Sequence, residues 1–152
     1  MSYLGKFFLV LGIAVSIATS ALASDKGTAK EAEAMVAKAL AEVKANGIES
    51  STKTFSDPKW RDRDLYVFVG KFDGTIIAHG ANAGLIGKNL NELKDADGKT
   101  FVREMAEVAK TKQKGWVDYY WSNPTTKKVE PKSTYVTAIP GQDAYVAVGI
   151  YK

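Results

Sequence analysis

The last third of the chain constrains its fold most strongly, because three strand-like runs follow one another there with only short turns between them. The runs cover residues 116–121, 129–138 and 144–151, and they are rich in aromatic and β-branched residues. A crossover between parallel strands needs a dozen or more residues, and these turns are too short to provide one. The sequence therefore predicts neighbouring antiparallel strands in this part of the chain.

Two more strands are predicted earlier in the chain. Residues 65–72 read "LYVFVGKF", and residues 75–79 read "TIIAH", with Asp73 and Gly74 forming a turn between them. The glycine-rich stretch 80–93 that follows is predicted to be an irregular excursion with one short helical turn around Leu90.

Two helices complete the predicted architecture. The first starts at a capping box formed by Thr28 and Glu31 and ends at Asn46 and Gly47, and the second is capped by Asp97. Each has apolar residues at helical spacing along one face. The apolar stripes are Ala32, Met35, Val36, Ala39, Leu40 and Val43 in the first, and Phe101, Met105, Val108 and Ala109 in the second. We expect an α+β fold with about five antiparallel strands and the helices on one side of the sheet.

The N-terminal segment has the features of a secretory signal peptide. Lys6 is the only charged residue before Asp25, residues 7–18 are apolar, and residues 21–23 form an A-x-A cleavage sequence. The sequence predicts cleavage after Ala23, a mature chain that starts at Ser24, and a periplasmic location. The alternative is an uncleaved anchor in the inner membrane, since a spanning helix needs about 20 apolar residues.

Composition excludes several classes of function. Without residues 1–23 the chain has 129 residues, enough for one domain, and its 20 basic and 17 acidic residues give a net charge of +3. This excess is too small to indicate nucleic-acid binding. The chain has no cysteine and His79 is its only histidine, so thiolate or multi-histidine metal sites and histidine-based triads are excluded. We expect no cofactor and no metal, and the sequence contains no recognisable nucleophile and base pair, so it does not predict an enzyme.

The run "GWVDYYW" at 115–121 allows two interpretations. In a strand, Tyr119 and Trp121 share one face with Val117, while Asp118 and Tyr120 share the other and more polar face. Tyr119 and Trp121 are therefore predicted to point inward. They could simply fill the core, with their polar atoms hydrogen-bonded, or they could line a binding site.

The return strand contains a lysine that bears on this choice. Pro131 cannot donate a ladder hydrogen bond, and irregularity beside it could turn both Lys132 and Tyr135 inward despite their odd separation. A lysine directed into an aromatic hollow would be costly without an anion. An ordinary exposed strand lysine is the alternative.

Four segments, in this order, resemble a known family. They are "YVFVGKFDGTIIAH", "LIGKNLNELKDADGKTFVREM", "GWVDYYW" followed by "NP", and "KSTYV" followed by "AYVAVGIY". Together they are similar to the single Cache domain of bacterial extracytoplasmic sensors over residues 65–152. The resemblance implies a PAS-like fold with a long N-terminal helix and a pocket beneath the loop and helix that cross the sheet. It also implies binding of a small molecule, often a short carboxylate or an amino acid, as the input of a chemoreceptor or sensor kinase.

The resemblance also implies which residues bind the ligand. It places Tyr119 and Trp121 in the pocket, with Lys132 and Tyr135 supplied by the return strand and His79 near the excursion loop. In this interpretation Lys132 provides charge, Tyr119, Tyr135 and His79 provide hydrogen bonds, and Trp121 and Phe68 provide apolar walls. Gly80 follows His79 where the family often has proline.

The expected partners follow from where the sequence stops. Receptors of this type continue into a transmembrane helix and an output domain, whereas this sequence ends at Lys152. We therefore expect an exported binding protein that acts with a separate membrane receptor or sensor kinase. In the alternative, residues 1–23 stay as an anchor, the helix from Thr28 forms a homodimer, and the pocket is filled.

Overall fold

The structure is a computed structural model that describes residues 25–152. The predicted signal peptide and the predicted mature terminus at Ser24 lie outside the described residues. Among residues 25–152, no helix combines the length and the hydropathy that crossing a membrane requires. The α-helices of the described part are α1 (Ala29–Asn46), α2 (Ile48–Thr54) and α3 (Phe101–Lys112). Its strands are β1 (Arg61–Asp62), β2 (Leu65–Lys71), β3 (Ile76–His79), β4 (Lys114–Ser122), β5 (Val129–Ala138) and β6 (Ala144–Tyr151).

The strands form one antiparallel sheet, which confirms the predicted α+β fold. The order is β1-β2-β6-β5-β4, and β3 also pairs with β2. Each recorded strand pair is antiparallel. The five predicted strands are present with shifts of one or two residues at their ends, and the two-residue β1 is an addition that the sequence did not predict.

Helix α1 covers one face of the sheet. Thr28 and Glu31 form the predicted capping box, and Gly47 ends the helix with a φ of 77°, a conformation that glycine adopts without strain. The buried stripe of α1 packs against valines of the two central strands, β2 and β6. The residues in this contact include Ala32, Val36, Ala39 and Val43 from the helix and Val67, Val69, Val146 and Val148 from the strands.

Helix α3 covers the opposite face, so the expectation that the helices share one side is wrong. The physical reason lies in β2 and β6, where almost every residue is buried. Strands that are apolar on both faces need a cover on both faces. Helix α3 begins after Thr100, whose side chain makes no capping bond, and the predicted cap Asp97 instead lies in the preceding turn.

Between β3 and α3 the chain makes an excursion across the α3 side of the sheet. We call residues 80–100 the excursion loop. Its helical turn is a 3-10 turn at Ala83–Leu85, whereas the sequence predicted one around Leu90. Backbone hydrogen bonds tie the loop to the β2–β3 hairpin, with Leu90 N donating to Gly74 O at 2.9 Å and Gly87 N to Ile76 O at 2.8 Å. Helix α2 was not predicted, because its sequence "IESSTKT" is short and poor in strong helix formers.

Candidate ligand-binding site

Strand register brings a group of polar side chains together on the α3 face of the sheet. Lys132 lies opposite Tyr119 of β4 and opposite Tyr151 of β6. Residues directly opposite one another in a sheet point to the same face. Tyr66 and Phe68 of β2 reach the same region, because both of their rings lie within 6 Å of the Lys132 ammonium.

Lys132 is a buried cation among aromatic rings. Its side chain is 1% exposed, and its Nζ donates a 2.6 Å hydrogen bond to the Tyr66 hydroxyl. The same atom lies 4.1 Å from the ring centroid of Tyr66 and 4.8 Å from that of Tyr151. No carboxylate of residues 25–152 forms a salt bridge with Lys132.

The surroundings of Lys132 disfavour its charge. Burial lowers the pKa of Lys132 well below its ordinary value, and the negative charge of Asp64 acts in the opposite direction. One hydroxyl and several ring faces replace only part of the lost hydration of an ammonium. The site therefore favours either loss of the proton or arrival of an anion that restores the charged form.

His79 is held as a neutral hydrogen-bond donor. Its Nδ1 accepts from the backbone amides of Ala81 at 3.3 Å and Asn82 at 3.0 Å, which assigns the proton to Nε2. The ring lies against Tyr66 and Phe68, with centroid distances of 4.9 Å and 5.7 Å. Burial, and secondarily the charge of Lys132, lowers the pKa of His79 to about 3.

The buried His79 predicts acid sensitivity. Above pH about 6.5 the imidazole is neutral in both the folded and the unfolded chain. As the pH falls from 6.5 towards 3, the unfolded chain binds a proton that the folded chain does not, so His79 lowers the free energy of unfolding by up to about 1.4 kcal/mol per pH unit. His79→Asn keeps an acceptor for the two amides and should flatten this dependence.

Urea denaturation of both proteins between pH 4 and pH 7, in buffers free of carboxylates, measures the effect of His79. The acidic side chains titrate in both proteins, so the difference between the two curves isolates the histidine. Equal slopes for His79→Asn and the unmodified protein would contradict the assignment of a buried neutral imidazole.

Aromatic rings and the excursion loop close the site from outside. Phe101, the first residue of α3, stacks on Tyr119 with a centroid distance of 4.3 Å and an interplanar angle of 5°, and Trp121 lies 5.3 Å from Phe101. A cavity of about 20 Å³ remains beneath them, enough for about one water molecule. Its lining includes Tyr66, Phe68, His79, Leu85, Leu90 and Tyr119.

A larger depression lies elsewhere and is a weaker candidate. It encloses about 910 Å³ and lies beside α2, with Glu49, Lys71, Asp73 and Lys110 on its walls. These four side chains are exposed to solvent. Water therefore hydrates their charges, and none of them needs a ligand to replace lost hydration. Within residues 25–152 no group of three or more histidine, aspartate or glutamate side chains could hold a metal ion. The buried cavity is therefore the candidate site.

Five of the six residues predicted for the site lie on this face. Phe68, His79, Tyr119 and Trp121 line the small cavity, and Lys132 lies against the rings of Phe68 and Tyr119. Whether they bind a ligand remains a prediction.

Tyr135 does not join them. It packs against the core on the α1 side, with its ring 5.2 Å from that of Trp116. The expected irregularity at Pro131 is absent, because β5 pairs with β4 without a register shift, Pro131 lying opposite Tyr120. Residues at an odd separation therefore keep opposite faces.

Four further residues of this site, Tyr66, Thr134, Tyr151 and Gly149, were not predicted from the sequence. The hydroxyls of Thr134 and Tyr119 share a 3.0 Å hydrogen bond in which either can be the donor. Gly149 leaves room for the Lys132 side chain, since a Cβ at position 149 would lie 2.2 Å from Lys132 Cε. The alternation of β5 and β2 could have identified Thr134 and Tyr66, which lie two residues from Lys132 and Phe68. Tyr151 and Gly149 require the register between β5 and β6, which the sequence does not contain.

Two solved structures share the fold of this chain. A methyl-accepting chemotaxis protein from Vibrio parahaemolyticus superposes with a TM-score of 0.71 at 21% identity, over 80% of this chain and 86% of that one. A structure described as the basis for carboxylic acid recognition by a Cache chemosensory domain gives 0.64 at 21% identity, with coverages of 80% and 86%. At these identities the similarity shows the fold alone.

Two curated relatives are signalling proteins much longer than the matched segment. The methyl-accepting chemotaxis protein McpP of Pseudomonas putida is 27% identical over 90 residues, which is 59% of this chain and 16% of that protein. The sensor histidine kinase MctS of Rhizobium johnstonii is 30% identical over 89 residues, 59% of this chain and 19% of the kinase. The model of the family described as single Cache domain 2 matches residues 12–152. The resemblance read from the sequence is thus confirmed, and the chain belongs to the single Cache domain 2 family.

Proposed function

We propose that this chain is an extracytoplasmic sensor domain that binds a short monocarboxylate beneath the excursion loop. One observation carries the proposal: the ammonium of Lys132 is buried among aromatic rings, without a salt-bridge partner among the described residues. A ligand carboxylate would supply the missing negative charge. The structure of a Cache domain described as recognising carboxylic acids supports the same chemistry.

The neighbouring groups can complete the recognition of a carboxylate. Burial raises the pKa of the Tyr66 and Tyr119 phenols, so both hydroxyls stay protonated and can donate. The Nε2 hydrogen of His79 is a third donor. A carboxylate has two oxygens that together accept about four hydrogen bonds, which these donors and Lys132 can provide.

Charge and the apolar lining favour a monocarboxylate over the other ligands that the family resemblance suggests. No acidic side chain of residues 25–152 lines the cavity, so the ammonium of an amino acid would have no counter-charge from them and would lie near Lys132. A dicarboxylate would bring two charges to one lysine, because His79 is neutral. The apolar walls of Phe68, Leu90 and Phe101 suit a short alkyl tail.

A thermal-shift panel tests this proposal. Acetate and propionate, at a hundredfold above their dissociation constants, should stabilise the folded chain by about 2.7 kcal/mol. Succinate and alanine, matched for ionic strength, should give no shift. A shift with alanine or succinate and none with acetate would reject the monocarboxylate, and no shift with any of the four would reject carboxylate binding at this site.

We further propose that residues 1–23 direct export and that the chain acts in the periplasm as the input of a signalling protein. The family consists of extracytoplasmic sensor domains, and the two curated relatives are a chemoreceptor and a histidine kinase. A homodimer through the exposed side of α1 stays a prediction. Intact-mass measurement of the exported protein tests cleavage, since a product that retains residues 1–23 would contradict it.

A further inference from the structure

The small size of the cavity raises the question of how a ligand reaches Lys132. The cover of the cavity has two parts with different attachments. The first part, residues 83–91, is tied to the β2–β3 hairpin by backbone hydrogen bonds. The second part is a closed turn of residues 95–99, which we call the strap, in which Asp95 N donates to Lys99 O and Gly98 N donates to Asp95 O, both at 3.0 Å.

Two side chains attach the strap to the free edge of β4. One carboxylate oxygen of Asp95 accepts from the Tyr120 amide at 3.0 Å, while the other accepts from the amides of Asp97 and Lys99 within the strap. The ammonium of Lys99 donates to the carbonyl of Asp118 at 2.6 Å. The two attachments thus lie on either side of Tyr119, at positions 118 and 120.

The strap also lines a cleft beside the free edge of β4, and this cleft shares Tyr119 with the small cavity. The cleft encloses about 350 Å³ and is lined by strap residues together with Tyr119, Lys132 and Lys152. The chain continues from the strap into Phe101, whose ring covers Tyr119. Movement of the strap away from β4 would carry Phe101 with it and join the cleft to the cavity.

We propose that the strap is the gate of the ligand site and that Asp95 is the positioning residue that holds it closed. The ligand enters between the strap and the edge of β4 and reaches Lys132 through the cleft. The identity of the entering ligand rests on the proposed function, whereas the opening of the strap does not.

Asp95→Asn is the informative variant. An asparagine has one acceptor oxygen, so it cannot accept from Tyr120 and from the strap amides at the same time. Asp97→Asn is the matched control, because it removes the same charge from the same turn, and the Asp97 carboxylate makes no hydrogen bond to the described residues.

Two measurements report how often the strap opens. The first, without ligand, is the rate at which ethyl isocyanate acylates Lys132 to a urea, a reaction that releases no carboxylate. It is read by peptide mass spectrometry against the exposed Lys128. The second is the rate of acetate binding and release, followed by stopped-flow tryptophan fluorescence. In Asp95→Asn the acylation of Lys132 should be about tenfold faster, and the rate constants for acetate binding and release should both rise about tenfold. A tenfold change corresponds to about 1.4 kcal/mol, which is close to the effect of losing a hydrogen bond to a charged group. The dissociation constant should change less than threefold, since a gate affects entry and exit alike.

Each outcome decides between the alternatives. Equal acylation rates in Asp95→Asn and Asp97→Asn would overturn the gate, as would faster acylation with unchanged acetate rates. If acetate does not bind the unmodified protein, the proposed ligand is wrong. The acylation rates alone then decide whether the strap opens. If circular dichroism shows that Asp95→Asn does not fold, the same measurements are made on Lys99→Met, which breaks the second attachment of the strap. Lys94→Met is then the control.

Discussion

Replacing Lys132 with methionine is expected to remove most of the stabilisation by acetate while leaving the unliganded fold intact. Methionine keeps most of the stem and deletes the charge. Losing one partner of a buried charge pair weakens binding by about 2 to 5 kcal/mol. At an acetate concentration a hundredfold above the dissociation constant of the unmodified protein, the stabilisation should therefore fall from about 2.7 kcal/mol to less than about 1 kcal/mol.

The stability of the unliganded variant separates a binding role from a structural one. Without a ligand the ammonium of Lys132 has no salt-bridge partner among residues 25–152. Its replacement by an apolar side chain of similar length should therefore leave the free energy of unfolding unchanged or raise it. If Lys132 served mainly to hold the fold together, Lys132→Met would instead unfold at a lower urea concentration.

Lys128→Met provides the matched control for the charge. Lys128 lies in the turn between β4 and β5 and is exposed, so its replacement removes one positive charge at a distance from the cavity. It should keep the full acetate-induced shift. An equal loss of the shift in both variants would mean that acetate acts through overall charge, and a retained shift in Lys132→Met would remove Lys132 from the site.

Local patterns in the sequence predicted much of this fold. Alternation in "GWVDYYW" placed Tyr119 inward, where it is now 6% exposed. The capping box at Thr28 and the stop at Gly47 gave the limits of α1 to within a residue. These features succeed because they depend on the period of the side chains and on backbone groups that lie close in sequence.

The composition of the site could be predicted only in part, because it depends on contacts between distant strands. Lys132 and Tyr66 are 66 residues apart, yet their polar atoms are 2.6 Å apart. Nothing in either local sequence fixes that pairing. The sequence also left open whether Lys132 was exposed, since its burial depends on the rings of Tyr66 and Tyr151 and on the cover that the excursion loop provides.

The errors have one physical origin. Tyr135 was placed in the site from the family resemblance and from the irregularity that Pro131 could introduce, but at Pro131 the strand β5 keeps its pairing with β4. Both helices were placed on one side because that arrangement is common in α+β folds, whereas β2 and β6 are buried on both faces. In each case the strand or helix was predicted correctly. Strand pairing and packing between distant parts of the chain then decided which face of the sheet its side chains occupy.

Gly149→Ala is expected to damage both the fold and the site through a single added methyl group. A Cβ at this position would lie 2.2 Å from Lys132 Cε and 2.3 Å from Thr134 Oγ1, well inside van der Waals contact. Neither neighbour can move freely, because Lys132 is enclosed by rings and Thr134 pairs with the Tyr119 hydroxyl. Overpacking of this kind costs about 1 to 3 kcal/mol, which urea denaturation would measure.

The effect on binding should be larger than the loss of stability alone explains. The added methyl displaces the stem of Lys132 and therefore moves its ammonium. Even if Gly149→Ala is folded at room temperature, acetate should not raise its melting temperature. Gly115→Ala is the matched control. It adds a methyl to β4, which β5 separates from β6, and the nearest atom there is Val108 Cγ1 at 2.9 Å, away from Lys132. It should keep the acetate-induced shift. If Gly149→Ala binds acetate as tightly as Gly115→Ala does, the ammonium of Lys132 need not occupy the position that the glycine permits, and the anchoring role of Lys132 would have to be abandoned.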